Sequence, residues 1–112
     1  MKIAITSSNN SLKSNLDPRF ARSSYWYIYD SSTEKGYFLD NTENVEVEQG
    51  AGIKAATKLI ELMVEILITG DLGPKASKVL KNKVTVYKGN ENKSIEENLH
   101  LFLENKLNKL KV

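Results

Sequence analysis

Cysteine is absent from this 112-residue sequence, and histidine occurs only once, at His100. Without cysteine the chain has no disulfide, no thiolate nucleophile and no Cys-ligated zinc or iron–sulfur site. His100 falls near the polar side of a predicted helix, and Glu46 and Glu48 are expected to be solvated charges. Neither a nucleophile–base pair nor a transition-metal site built only from protein ligands is therefore expected, and we expect the protein not to be an enzyme.

Long apolar runs and a strong net charge are also missing. No apolar segment approaches the roughly 20 residues of a membrane span, and the apolar part of "MKIAIT" is too short for a signal peptide. The formal charge of +2 is too small to indicate a nucleic-acid partner. We expect a cytoplasmic protein that contacts neither membranes nor nucleic acids, with residues 1–112 forming one domain.

Short runs rich in β-branched and aromatic residues predict five strands. They cover residues 2–6, 25–30, 37–41, 65–69 and 83–88. In the second, "YWYIYD", alternation places Tyr25, Tyr27 and Tyr29 on one face and Trp26 and Ile28 on the other. We expect both faces to pack in the core, although such a strand can also serve as a platform for stacking bases.

Three helices are predicted after the first three strands. The first begins near Gly50, with an apolar stripe at Ile53, Ala56, Ile60 and Met63 and with Leu59 beside it. The second begins at Pro74, which suits a first helical position. The last follows a Ser94-x-x-Glu97 capping box. Its expected apolar face comprises Ile95, Leu99, Phe102, Leu103, Leu107 and Leu110.

This order of elements predicts an α/β fold with three layers, α/β/α. Right-handed crossovers give a five-stranded mixed sheet of order 3-2-1-4-5, with the second strand antiparallel and helices on both faces. Strand order then reverses between the first and fourth strands, and open α/β sheets bind ligands at such a reversal. The loop over residues 7–24, the "GAGI" turn and the "GDLGP" turn all lie at that edge.

The three loops carry chemistry suited to an anion. Helix N-termini bind anions, glycine allows close backbone approach, and arginine offers planar donors for oxyanions. The candidate binding residues are Asp17, Arg19, Phe20, Arg22, Gly50, Ala51, Gly52, Ile53, Lys54, Gly70, Gly73 and Lys75.

Plainer interpretations of the same residues remain open. Phe20 can pin its loop to the core, and Arg19 can simply pair with Asp17 in a turn that opens at Pro18. The glycines can serve turn geometry alone, and the two lysines can be ordinary solvated charges.

Four segments resemble the dinitrogenase iron–molybdenum cofactor biosynthesis family, which consists of nitrogenase accessory factors. They are "LDPRFARSSYWYIYD", "GAGIKAA", "ITGDLGPKASKVL" and "SIEENLHLF", and together they cover nearly the whole chain in order. The resemblance implies a fold of the ribonuclease H type and the binding of iron–molybdenum cofactor, or its iron–sulfur precursor, during metallocluster assembly. It also implies metallocluster-assembly proteins as partners.

The sequence departs from the family pattern at Ala21, where glycine is usual, and at Asp71 and Lys75, where asparagine is usual. Because the chain has no cysteine, a bound cluster would be held non-covalently, by backbone N–H groups and basic side chains. The leading hypothesis is a non-enzymatic carrier of an anionic metallocluster. The alternatives are a protein-interaction or regulatory module, and a binder of a small oxyanionic metabolite, using the same loops.

Overall fold

The computed structural model describes residues 1–45 and 49–111, so Glu46 and Glu48 lie outside the described residues. Its six strands are β1 (Lys2–Ser7), β2 (Tyr25–Asp30), β3 (Lys35–Asp40), β4 (Ile66–Thr69), β5 (Thr85–Lys88) and β6 (Asn108–Lys109). Its helices are α1 (Thr42–Val45), α2 (Ala51–Glu61), α3 (Pro74–Leu80) and α4 (Ile95–Leu103).

The strands form one mixed sheet in the order β3-β2-β1-β4-β5-β6. Strand β2 is antiparallel to both of its neighbours, whereas β1, β4 and β5 run parallel to one another. The predicted order and directions of the first five strands are therefore confirmed, and β6 adds a short sixth strand antiparallel to β5. The strand order reverses between β1 and β4, as expected.

Helices cover both faces of the sheet, which confirms the three-layer arrangement. On one face, Trp26 and Ile28 pack with side chains of α2 and α3 such as Leu59 and Leu80. On the other face, Tyr27 packs with Ile95 and Leu99 of α4. The alternation predicted for "YWYIYD" is thus observed, because successive side chains of a strand point to opposite faces.

The last helix is shorter than predicted. It ends at Leu103, and Asn105 adopts a left-handed conformation with φ 60°. The Asn105 and Lys106 N–H groups then donate to the Phe102 and Leu101 carbonyls, which is the hydrogen-bond pattern of a Schellman helix end. Leu107 and Leu110 consequently pack against opposite faces of the sheet, so the predicted single apolar face of this segment is wrong beyond Leu103.

The apolar stripe predicted for α2 is only partly correct. Ala56 is fully buried, but Ile53 is 45% exposed and Met63 is 75% exposed. Met63 lies beyond the helix end in a left-handed conformation, and the buried face instead runs through Ala51, Ala55, Ala56 and Leu59. Because alanine side chains are small, α2 can approach the sheet and α3 closely. A stripe drawn mainly through large apolar residues does not reveal this buried face.

Three further differences concern short elements. Helix α1 has four residues, too few to show a helical period in the sequence. Strand β3 begins at Lys35, two residues before the predicted start, and β5 begins at Thr85, two residues after it. Over the described ranges, no helix combines the length and apolar character needed to cross a membrane.

Candidate functional site

A cleft of about 530 Å³ lies at the sheet edge where the strand order reverses. Its walls come from the loop after β1, from the start of α2 and from the start of α3. These are the three segments that the topology predicts to converge. The lining residues are Arg19, Phe20, Ala21, Arg22, Gln49, Gly50, Ala51, Gly52, Asp71, Gly73, Pro74, Lys75 and Ala76.

The loop after β1 is fastened to the sheet beneath it. The Asp17 N–H donates to the Thr6 carbonyl at 3.0 Å, and the Thr6 hydroxyl donates to the Asp17 carbonyl at 2.6 Å. Pro18 then crosses directly over Gly70, where an added Cβ would lie 2.6 Å from the Pro18 Cα. Gly70 is therefore needed for the crossing of two backbones, and it does not line the cleft.

Arg19 and Asp17 form a two-point ion pair. Arg19 Nε lies 3.1 Å from Asp17 Oδ1, and Arg19 Nη2 lies 3.0 Å from Asp17 Oδ2. The hydrogen bond and the charge of Asp17 raise the pKa of Arg19. Asp17 is buried at 5% exposure whereas the Arg19 side chain is 61% exposed. The pair uses two of the five guanidinium N–H donors, so Asp17 orients Arg19 and leaves three donors outside the pair.

Phe20 is 4% exposed, and its ring stacks on Trp26 at a centroid distance of 5.6 Å. Its carbonyl accepts hydrogen bonds from the Ser23 hydroxyl and from Trp26 Nε1. These contacts agree with the interpretation of Phe20 as a residue that pins its loop to the core. Phe20 also forms part of the cleft wall.

The segment after β3 ties the first loop to the start of α2. Asn44 is buried, and its Nδ2 donates to the Ala21 carbonyl at 3.1 Å and to the Ala51 carbonyl at 3.0 Å. Asn41 Nδ2 also donates to the Ala21 carbonyl, at 2.9 Å, and Arg22 Nη1 donates to the Val45 carbonyl at 2.7 Å. Two walls of the cleft are thus held at a fixed separation.

Both helices that reach the cleft begin without a side-chain cap. Gly50 precedes α2 with φ 78°, a left-handed conformation that favours glycine. Gly73 precedes α3, and an added Cβ there would meet no atom within 4 Å. Gly52 instead faces Ala76 of α3, 3.5 Å from an added Cβ, so it serves the packing of the two helices.

The charged side chains that line the cleft are mostly basic. Arg19, Arg22 and Lys75 line it, together with one carboxylate, Asp71. Among the candidates from the sequence, four lie outside its lining. Asp17 is behind Arg19, Gly70 is beneath Pro18, and Ile53 and Lys54 face a separate groove along the outer side of α2. Over residues 1–45 and 49–111, no group of three His, Cys, Asp or Glu side chains is placed to hold a metal ion.

Sequence reasoning missed two kinds of residue at this site. Gln49 and Ala76 line the cleft but carry no chemical signal of their own. Asn44 was missed because helix α1 is so short. The neighbouring Asp40 accepts hydrogen bonds from both the N–H and the hydroxyl of Thr42, and an Asp-x-Thr sequence is a local sign of such a turn.

Comparison with known proteins identifies close structural and sequence relatives. The family model described as "Dinitrogenase iron-molybdenum cofactor" matches residues 1–105. An uncharacterized protein of Methanocaldococcus jannaschii is 34% identical, and the match covers 97% of this chain and 91% of that protein.

Two solved structures are similar over almost their full length. The orange protein of Desulfovibrio gigas, solved in its apo form, has a TM-score of 0.91 and 29% identity, covering 97% of this chain and 92% of that one. A candidate NifB protein from Thermotoga has a TM-score of 0.86 and 31% identity, covering 99% and 94% of the two chains.

Proposed function

Because this chain belongs to the dinitrogenase iron–molybdenum cofactor family, we propose that it is a non-enzymatic carrier of an anionic metallocluster. The cargo would be an iron–molybdenum cluster, or an iron–sulfur precursor of it, held in the cleft between the first loop and the starts of α2 and α3. The observation that supports this most strongly is the convergence of Arg19, Arg22 and Lys75 on one cleft.

The electrostatics of the cleft favour a negatively charged cargo. Three basic side chains and one carboxylate, Asp71, line the cleft. A second carboxylate, Asp17, pairs with Arg19 from behind, so the positive charges exceed the negative ones by one. Helix α2 starts at the cleft with no side-chain cap, and its first-turn N–H groups have no partner within the helix. Such N–H groups and the positive end of the helix dipole stabilise an anion. The Asp17–Arg19 pair fixes one guanidinium before binding, which reduces the entropy lost on binding.

The size and the chemistry of the lining also suit a carrier. A volume of about 530 Å³ is typical of a small-ligand pocket. The lining residues include no serine, cysteine or histidine, and therefore no Ser–His or Cys–His pair. Contacts would come from N–H donors and positive charges, so the cargo could be released without breaking a bond to a protein sulfur. A carrier of this kind exchanges cargo with metallocluster-assembly proteins.

The experiment is an anaerobic titration of the protein with isolated iron–molybdenum cofactor. The test variant is Arg19→Gln combined with Lys75→Gln, which removes two charges from the cleft. Its matched control is Lys54→Gln combined with Lys58→Gln, which removes two charges from the outer groove of α2. Thermal unfolding of each variant shows whether it is folded.

We expect the cleft variant to bind at least about tenfold more weakly, equivalent to about 1.4 kcal/mol, and the control to bind as the unmodified protein does. Salt screens the attraction between basic side chains and an anionic cargo. Added salt should therefore weaken binding more for the unmodified protein, which keeps all the basic side chains of the cleft, than for the cleft variant, which has lost two of them. Failure of the unmodified protein to bind the cofactor, or an equal loss in both variants, would refute the proposal. Tighter binding of simple oxyanions such as phosphate would favour a metabolite-binding protein.

A further inference from the structure

Strand β3 is an edge of the sheet with a regular row of outward-facing backbone groups. The Asn41 N–H donates to the Ser24 carbonyl, and the same register pairs Leu39 with Trp26 and Tyr37 with Ile28. Because the direction of backbone hydrogen bonds alternates along a strand, the odd-numbered residues bond to β2. The N–H and C=O groups of Gly36, Phe38 and Asp40 therefore point away from the sheet.

These outward groups have no hydrogen-bond partner among the residues that the structure describes. The strand is six residues long, contains no proline and has no bulge in its pairing with β2. Proteins usually protect such an edge by shortening, covering or charging it. The opposite edge of this sheet is protected in that way, since β6 has only two residues.

The β3 edge is complementary to itself. Two antiparallel copies related by a two-fold axis at Phe38 pair Phe38 with Phe38, and Gly36 with Asp40 of the second copy. Every outward N–H and C=O of these three residues then meets a partner. When the two-fold axis is perpendicular to the sheet, corresponding faces of the two sheets lie on the same side. The α4 helices of both copies therefore cover the same face of the joined sheet.

The side chains agree with this register. Tyr37 is 49% exposed, and it would lie opposite Leu39 of the second copy on the α2 face. The Phe38 ring, which packs on Tyr27 at a centroid distance of 4.9 Å, would meet its counterpart on the α4 face. Apolar and aromatic cross-strand pairs of this kind stabilise sheets.

We propose that two copies of this chain associate through antiparallel pairing of their β3 strands, centred on Phe38, to give one continuous sheet. Because the same edge is used by both copies, the assembly closes as a two-fold dimer and does not extend into a filament. None of the β3 residues lines the cleft, so the dimer carries two open clefts. The proposal is independent of what the cleft binds.

The absence of native cysteine allows a clean cross-linking test. Directly opposed residues in a hydrogen-bonded antiparallel pair have Cα atoms about 5.5 Å apart, within the disulfide range of about 4.4–6.8 Å. Phe38→Cys should therefore form a covalent dimer under mild oxidation. Tyr37→Cys is the register control, because two copies of residue 37 would be offset by two positions. Leu103→Cys, at a side chain 47% exposed on another surface, measures random collision.

We expect Phe38→Cys to give a much higher yield of covalent dimer than either control variant, and the yields of the two controls to be similar. Preferential cross-linking of Tyr37→Cys, or equal yields at all three positions, would overturn the proposal. Since Phe38→Cys removes a ring contact, the unmodified chain provides a second measurement. Sedimentation should show a concentration-dependent species of twice the monomer mass, which Tyr37→Lys should abolish and Met63→Lys should not.

Amide hydrogen exchange supplies the residue-level readout. In the dimer, exchange at Gly36, Phe38 and Asp40 should slow as protein concentration rises. Exchange at Tyr37 and Leu39 should not change with concentration, because their N–H groups already bond to β2. An unmodified chain that stays monomeric, with exchange at Gly36, Phe38 and Asp40 unchanged over the same range, would overturn the proposal.

Discussion

The rings of Phe20 and Trp26 stack with their planes 5° apart, and this contact attaches the first loop of the cleft to the core of the sheet. Phe20 is 4% exposed, so its ring contributes to stability as a core residue does. Phe20→Ala should lower the free energy of unfolding by about 3 kcal/mol or more. Leu103→Ala, at a side chain 47% exposed, is the matched control. Chemical denaturation measures both, and equal small losses would contradict an anchoring role.

Gly70 and Gly73 make a second pair of matched substitutions. Gly70→Ala would bring a Cβ within 2.6 Å of the Pro18 Cα and 2.9 Å of the Pro18 carbonyl oxygen. Because backbone atoms cannot simply rotate away, the first loop must shift, and we expect a loss of about 1–3 kcal/mol. Gly73→Ala meets open space at φ −69°, so it should be neutral or slightly stabilising. Thermal unfolding distinguishes the two variants, and equal midpoints would contradict the close crossing.

Asn44 holds two walls of the cleft together through the Ala21 and Ala51 carbonyls. Asn44→Ala should destabilise the protein by about 1–3 kcal/mol, because buried hydrogen bonds are lost without replacement. It should also weaken binding in the cleft. Glu43→Ala, at the exposed preceding residue, should change neither property by much. Denaturation and the cofactor titration together provide the test, which fails if both variants behave alike.

The capping box of α4 predicts a pH effect. The Ser94 backbone N–H donates to Glu97 Oε1, and this bond, with a smaller effect of the Ser94 side chain, lowers the pKa of Glu97. The Ser94 hydroxyl in turn accepts from the Glu97 backbone N–H. A carboxyl whose pKa is lowered by folding stabilises the folded state above its unfolded pKa, and this contribution is lost as the pH falls through the folded pKa. Ser94→Ala keeps the backbone N–H but removes the hydroxyl, so it should raise the pKa of Glu97 part of the way toward its ordinary value. Loss of the helix cap should cost about 1 kcal/mol of stability. An NMR titration of the Glu97 carboxyl tests the first point, and an unchanged pKa would contradict it.

Met63 offers a stabilising substitution. Met63 has φ 62°, a left-handed conformation that is unfavourable for a residue with a Cβ. Its side chain is 75% exposed, so burial does little to offset that strain. Met63→Gly should raise the free energy of unfolding by up to about 1 kcal/mol, since glycine is the preferred residue at this helix end. Met63→Ala is the control because it keeps the Cβ and should give no such gain. Denaturation midpoints decide between them.

Local patterns in the sequence determined most of the fold. Runs of β-branched and aromatic residues indicated where five strands lie. The right-handed rule for crossovers then gave their order, because few topologies join a three-stranded meander to two crossover units without breaking that rule. The meeting of three loops followed from that order alone. The predicted list of binding residues was broader than the cleft lining, since sequence position within a turn does not reveal which way a side chain points.

Only the tertiary structure decided which roles the individual residues take. Gly70 accommodates Pro18, Asp17 orients Arg19, and Phe20 packs on Trp26. Each of these contacts forms only after the sheet and the loop have folded and brought the two residues together. The last segment shows the same limit. A left-handed Asn105 ends α4, and Leu107 and Leu110 then pack on opposite faces of the sheet. The sequence by itself determined the first five strands, their order and the edge where a ligand could bind, because these depend on local periodicity and chain connectivity. The shape and charge of the cleft depended on contacts between distant residues, which only the folded chain brings together.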